Sequence, residues 1–295
     1  MKGKIKQLIR FDWAMKRLLR NKANFGILEG FLSELLKNDI KIIEILDSES
    51  NKDTENDKFN RVDILVKDDK NELIIIEIQN DSEYDYFQRM LYGVSKAIVE
   101  HIEEGSEYAK VKKVIAVNVV YFNLGQGEDY VYYGKTSFEG IHKRDILNLS
   151  KHQKQVFGLD TVQDIFPEYY IIKVNNFDDN AHDTLDEWIY FFKNAAIKSE
   201  FSAKGIKEAS LKLDIMKLPE NEQAAYKSYM RNLREEASKA HTLKSERDMV
   251  LFDATRNLII EFWKLNTPIQ TIATATKFSE KQIEEIIIEY QKGNI

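Results

Sequence analysis

The chain has 295 residues, among them 43 lysines and arginines and 49 aspartates and glutamates, and its formal net charge is −6. This acidic balance argues against a protein that coats nucleic acid through bulk positive charge. The absence of cysteine excludes disulfides, thiolate nucleophiles and cysteine zinc sites, and it fits a reducing compartment. Because we find no signal peptide and no apolar run long enough to span a bilayer, we expect a cytoplasmic protein without a membrane partner.

The apolar pattern of the first 180 residues predicts both helices and strands. Helical spacing predicts helices over 8–20, 25–37 and 85–104, and short apolar runs predict strands over 40–46, 111–122, 129–133 and 168–174, with a hairpin over 60–79. This order indicates an α/β fold with a central mixed sheet flanked by helices. The almost continuous apolar run at 111–122 is typical of a strand that is covered on both faces.

After about residue 180, strand-like runs disappear and only helical patterns remain. Helices are predicted over 182–197, over 204–264 with a break near Pro219, after Thr267–Pro268, and over 281–292 with Ser279 as the cap. We therefore predict two regions, an α/β domain at 1–180 and a helical C-terminal region at 181–295.

The segment 268–283 has the outline of a helix-turn-helix, with the turn at Lys277-Phe278-Ser279. Its second helix is acidic, whereas a recognition helix usually carries basic or amide side chains. A packing or dimerisation role is therefore favoured over DNA reading, and we expect a homodimer through the C-terminal region.

Two carboxylates lie within the apolar runs of the predicted hairpin, Asp63 on the first strand and Glu77 on the second. If the turn is centred on Lys70, the two residues lie directly opposite each other. Like charges in that position destabilise an antiparallel pair, and charges beside apolar surface cost more still. The pattern therefore predicts a cation between Asp63 and Glu77.

The ligands available at this position are hard oxygens. Glu77 and Gln79 share one face of the strand, and the backbone carbonyl of Ile78 lies between them. Together with Asp63, these oxygens suit Mg²⁺ or Mn²⁺ better than zinc. Gln79 can orient a water molecule but carries no positive charge.

Five segments of the chain share a pattern with one known family. They are Phe11-Asp12-Trp13-Ala14-Met15-Lys16, the helix Leu28 to Leu36, Arg61-Val62-Asp63-Ile64-Leu65, Ile75-Ile76-Glu77-Ile78-Gln79 and Phe87-Gln88-Arg89-Met90-Leu91-Tyr92. This pattern resembles the PD-(D/E)XK family transposases, also called Rpn or YhgA-like recombination-promoting nucleases, over about residues 5–200. The resemblance implies a restriction-endonuclease-like fold and a metal-dependent DNA endonuclease that can stimulate recombination. Val62 stands where the family name has proline, and Gln79 stands where it has lysine.

The resemblance also implies roles for single residues. Asp63 and Glu77 take the metal-ligand positions, and Gln79 takes the position of the usual lysine. Glu29 is the match to an additional helix acid, with Glu34 as the alternative.

Basic and amide residues near these positions are the expected contacts to DNA. Gln88 and Arg89 match a motif on the helix after the site, where Arg89 could bind the scissile phosphate. Lys16, in the first helix, could contact other phosphates, although a solvated helix face explains it equally well.

Three alternatives stay open from the sequence. Arg89 could pair with Asp63 or Glu77 and so relieve the facing charges without a metal. The chain could be a catalytically inactive DNA-binding or assembly protein that keeps the fold. It could also be an RNA nuclease that uses the same chemistry.

Overall fold

The computed structural model describes residues 8–17, 19, 21–46, 64–102 and 107–292. The helices in these ranges are α1 Phe11–Arg17, α2 Phe25–Leu36, α3 Tyr86–Glu100, α4 Lys151–Phe157, α5 Thr184–Asn194, α6 Ile206–Lys212, α7 Glu220–Lys264, α8 Ile269–Thr276 and α9 Glu280–Gln291. The strands are β1 Ile42–Leu46, β2 Ile64–Asp68, β3 Leu73–Gln79, β4 Val114–Val120, β5 Val131–Lys135 and β6 Glu168–Lys173.

The six strands form one mixed sheet in the order β1-β2-β3-β4-β6-β5. The central pairs β3–β4 and β4–β6 are parallel, and the pairs toward both edges are antiparallel. Strand β4 is buried along its whole length, as its apolar run predicts. The predicted α/β fold with a central mixed sheet flanked by helices is therefore confirmed.

The β2–β3 hairpin has the register that the sequence predicts. Its four pairs run from Lys67 opposite Leu73 to Ile64 opposite Ile76, so the hairpin is centred on Lys70. Asp68 closes the turn, because its Oδ1 accepts hydrogen bonds from the backbone N–H groups of Lys70 and Glu72, at 3.0 and 2.8 Å.

Large aromatic side chains fill the core between helices α1, α2 and α5. Phe11 of α1 stacks on Phe192 of α5 with ring centroids 4.2 Å apart, and Phe31 of α2 meets Phe192 edge to face at 4.9 Å. Trp188 and Phe191 complete the cluster, and all five side chains are buried. Helices α1, α2 and α5 therefore share one core.

Helix α2 also approaches the segment before α6 unusually closely. A Cβ atom added at Gly30 would lie 2.3 Å from the carbonyl oxygen of Lys204 and 2.7 Å from Cα of Gly205. Gly205 has a φ of +76°, a conformation that side chains other than glycine rarely adopt. The backbones touch here because neither position carries a side chain.

The chain divides into two compact units, Met1–Gln223 and Ala224–Ile295. The first unit includes α5 and α6, which pack against α2. Among the described residues, no helix is both long enough and apolar enough to cross a membrane.

The second unit has its own small core. Ile272 of α8 packs with Ile283 and Ile286 of α9 and with Ile259 and Ile260 of α7, and these side chains are buried. The side chains of α8 and α9 thus pack within the unit, one of the two roles that the sequence favours for 268–283. Ser279 caps α9, also as predicted, since its hydroxyl accepts a hydrogen bond from the backbone N–H of Gln282.

Candidate active site

Glu77 is a buried carboxylate near the carboxyl end of the central strand β3. Its relative exposure is 5%, and its register partner on the neighbouring parallel strand is Asn118. The apolar run that precedes it, Leu73 to Ile76, is buried completely or nearly so and fixes this strand in the middle of the sheet. A charged group in such a place needs a countercharge.

Arg89 of helix α3 supplies one countercharge. Its Nη2 lies 2.6 Å from Oε1 of Glu77, and its Nη1 lies 2.7 Å from Oε1 of Glu83. The same Glu83 oxygen accepts a hydrogen bond of 2.9 Å from Nε2 of Gln79. Glu83 therefore links the Gln79 amide to the guanidinium beside Glu77.

The electrostatics keep Arg89 charged. Burial lowers the pKa of its guanidinium, but the charges of Glu77 and Glu83 outweigh burial and raise the pKa above its ordinary value. The pairing of Arg89 with Glu77, one of the alternatives left open by the sequence, is thus present in the structure. Glu83 was not among the predicted residues, although it follows Gln79 by only four positions.

Two further polar groups lie nearby, Tyr86 on the helix that carries Arg89 and Asn118 on β4, the strand next to Glu77. The Tyr86 hydroxyl of α3 donates a 3.3 Å hydrogen bond to Oδ1 of Asn118, and both side chains are buried. Asn118 stands alone among apolar residues in its strand, and this isolation was the only signal for it in the sequence.

A second polar cluster lies just beyond the end of β3. Nη2 of Arg10 donates to Oδ2 of Asp12 at 3.0 Å and to Oδ1 of Asn80 at 3.2 Å. Nδ2 of Asn80 donates to Oδ2 of Asp12 at 3.1 Å. In the sequence, Asp12 stands out only as part of the first family segment, and none of Arg10, Asp12 and Asn80 was predicted to belong to a site.

The two candidate helix acids have other partners. Oε1 of Glu29 accepts the backbone N–H of Ile42 at 2.8 Å, which ties α2 to β1. Glu34 accepts the Thr184 hydroxyl and the backbone N–H of Lys204. Each carboxylate therefore holds neighbouring parts of the fold together.

The remaining predicted residues are only partly described. Asp63 lies outside the described residues, immediately before Ile64, whose register partner is Ile76. Lys16 belongs to α1, but its side chain is not described, and Gln88 is exposed on α3. Ile78 is buried on β3 between Glu77 and Gln79.

Within the described ranges, no group of three or more histidine, cysteine, aspartate or glutamate side chains is arranged to hold a metal ion. The donor chemistry at the end of β3 nevertheless fits a hard divalent cation. Glu77 offers a buried carboxylate that already attracts a positive group, and Gln79 places an amide next to it on the strand.

Compared with models of known protein families, residues 9–243 match the PD-(D/E)XK nuclease family transposases. The chain belongs to this family. No curated protein and no solved structure matches it. The six-stranded mixed sheet with flanking helices agrees with the fold of PD-(D/E)XK nucleases.

Proposed function

We propose that this member of the PD-(D/E)XK nuclease transposases is a divalent-metal-dependent DNA endonuclease that hydrolyses phosphodiester bonds. The observation that carries the proposal is the Glu77-Ile78-Gln79 segment, a buried carboxylate followed by an amide near the carboxyl end of a central strand. Family membership makes phosphodiester hydrolysis the chemistry expected of such a segment.

In this proposal Asp63 and Glu77 would hold Mg²⁺ or Mn²⁺, and the Ile78 carbonyl would complete the protein ligands. An ion bound there would lower the pKa of a water ligand and stabilise the charge that develops on the phosphate. Gln79 orients the attacking water through its amide. Glu29 would help a second ion only if its carboxylate left the backbone N–H of Ile42.

The contacts to DNA are proposed from position and charge. Arg89 keeps its positive charge beside Glu77 and is 24% exposed, which suits a contact to the scissile phosphate. Gln88 on the same helix and Lys16 on α1 are proposed as further contacts.

We also propose a homodimer through the C-terminal helices. Apolar side chains repeat at seven-residue intervals on α7, as Leu243 with Val250 and Leu251 with Leu258, and all four are more than half exposed. Exposed apolar side chains that are aligned along one helix offer a surface against which a second helix can pack.

One observation favours the rival function, a catalytically inactive DNA-binding or assembly protein. The ion pair between Arg89 and Glu77 already neutralises the carboxylate, so the fold does not require a metal at that point. The two functions differ in one measurable property, metal-dependent cleavage.

The test is nicking of supercoiled plasmid in Mg²⁺ or Mn²⁺ by the wild type, Asp63→Ala and Glu77→Ala, with single-stranded and double-stranded RNA as parallel substrates. We expect nicking by the wild type and a loss of at least about 100-fold in both variants, because each removes a ligand of the ion. Glu44→Ala, which removes an exposed acid from β1, is the matched control and should keep full activity.

Each other outcome has a distinct meaning. Nicking that persists in both variants contradicts the assigned site. A wild type that cuts no substrate with either ion supports the inactive rival, and a preference for RNA changes the substrate but not the chemistry.

A further inference from the structure

The polar cluster beyond β3 is a closed triad of Arg10, Asp12 and Asn80. Each member is hydrogen-bonded to the other two, at 3.0 Å between Arg10 and Asp12, 3.2 Å between Arg10 and Asn80 and 3.1 Å between Asn80 and Asp12. Both the oxygen and the nitrogen of the Asn80 amide are used within the triad. This arrangement fixes the orientation of the Asn80 side chain.

The Asp12 side of the triad is firmly held. Asp12 is 1% exposed, and its Oδ1 accepts the backbone N–H of Trp13 at 2.8 Å. The residue before it, Phe11, is stacked in the aromatic core against Phe192. The Asp12 carboxylate is therefore held in one position, and its hydrogen bond with Asn80 fixes the end of β3 to α1.

The Asn80 side of the triad lies at the end of β3. Asn80 directly follows Gln79, the last residue of that strand. The backbone carbonyl of Gln79 accepts the N–H of Tyr121 at 3.0 Å. The guanidinium of Arg10 lies over the Tyr121 ring, 5.1 Å from its centroid, so the triad touches the segments that follow both central strands.

The hydrogen bonds of Asp12 indicate a structural role rather than a role as a metal ligand. Its Oδ1 accepts from Trp13 and from Nε of Arg10, and its Oδ2 accepts from Arg10 and Asn80. Both oxygens are engaged inside the protein, which leaves the carboxylate poorly suited to bind an ion.

We propose that Asp12 is a positioning residue, which acts through Asn80 to hold the Gln79 amide and the Glu77 carboxylate in place for hydrolysis. This inference rests on the proposed nuclease function for its kinetic consequence. Gln79 is the immediate neighbour of Asn80, so loosening the triad misplaces the group that orients the water more than it disturbs the ligands of the ion. Small displacements of this kind are costly in rate.

The kinetic test compares Asp12→Asn, Asn80→Asp and the double variant that exchanges the two residues. We expect each single change to lower kcat about tenfold while the metal concentration for half-maximal rate moves less than about threefold. Asn80→Asp sets two carboxylates side by side, whereas the exchange restores one acid and one amide beside Arg10. The double variant should therefore recover kcat to within about threefold of the wild type.

Asp186→Asn is the matched control for a general loss of stability. Asp186 is a buried aspartate of the same unit, and it accepts hydrogen bonds from the Tyr130 hydroxyl and the His182 N–H, far along the chain from β3. We expect this variant to keep its kcat per folded molecule. The positioning role would be overturned if Asp186→Asn lowered kcat as much as Asp12→Asn does and if the double variant that exchanges Asp12 and Asn80 did not recover kcat.

Hydrogen exchange of the peptide that covers residues 76–80 is a readout that does not depend on catalysis. We expect Asp12→Asn to speed exchange there at least about tenfold, Asp186→Asn to leave it unchanged, and the double variant to restore protection. If the wild type does not nick DNA, the proposed function fails, and this readout alone decides the inference. Unchanged exchange in Asp12→Asn would overturn it.

Discussion

At the scale of single residues, the ion pair between Arg89 and Glu77 makes a prediction about stability. Arg89→Met leaves a carboxylate that is 5% exposed without this countercharge. Breaking a buried pair by removing one partner costs about 3 kcal/mol, so we expect a loss of about that size in urea unfolding. Arg144→Met is the control, because its ion pair with Glu139 is well exposed and should cost less than about 1 kcal/mol.

The Arg89→Met variant also tests whether a divalent cation and the Arg89 guanidinium compete for the Glu77 carboxylate. With Arg89 replaced, Mg²⁺ or Mn²⁺ should raise the Tm more than it does in the wild type, since an ion bound only by the folded state stabilises it. Equal shifts of the Tm in both proteins would show that the ion and Arg89 do not compete for Glu77, and the absence of any shift in both would contradict a metal site there.

Residue types and spacing in the sequence were enough to select Glu77 and Gln79, because a carboxylate and an amide stand out in an apolar strand. They could not reveal the triad, since Asp12 and Asn80 are 68 positions apart and each residue alone has the appearance of a helix cap or a strand end. Nor could they show that Arg89 contacts Glu77 and Glu83 at once. That contact depends on the angle at which α3 leaves the sheet.

At the scale of secondary-structure elements, two glycines of α2 predict opposite results for the same substitution. Gly30→Ala forces a methyl group against the backbone of Lys204, so we expect a loss of about 2 kcal/mol from overpacking. At Gly26 the added methyl would meet only the carboxylate end of Glu208, a flexible side chain. Gly26→Ala should therefore be neutral or stabilise the helix by up to about 1 kcal/mol.

Thermal and urea unfolding of the two variants gives the comparison directly. Equal effects at Gly30 and Gly26 would show that α2 and the segment before α6 do not touch as described. A large loss at Gly30 alone is the expected result.

The predicted elements agree with the structure where periodicity is strong, as in α2, α3, β4 and the hairpin. Helix α4 was not predicted, because its seven residues are too few for a clear helical period and none of its described side chains is buried. The change of composition near residue 180 marks the end of the strands, whereas the core continues through α5.

At the scale of the whole molecule, the repeat on α7 predicts the oligomeric state. Leu251→Lys with Leu258→Lys should convert a dimer to a monomer, because two charges would enter the apolar seam. Ser238→Lys with Ser245→Lys places the same charges seven residues apart on another face of the exposed helix and should leave the dimer intact. Sedimentation equilibrium of the full chain measures the molar mass in each case.

A wild type that sediments as a monomer would remove the dimer from the proposal. It would leave the site at Glu77 untouched, since every residue of that site belongs to the first unit.

The aromatic core has a consequence for shortened forms of the gene product. A stop codon between β6 and α5 removes Trp188, Phe191 and Phe192 and leaves Phe11 and Phe31 with only each other among the rings of this cluster. Such a fragment keeps every strand of the sheet, yet it lacks the side chains against which α1 and α2 pack. We expect such a fragment to aggregate or to be degraded in a cell. A frameshift between residues 174 and 184 should therefore act as a null allele, even though the codons for Asp63, Glu77 and Gln79 remain intact.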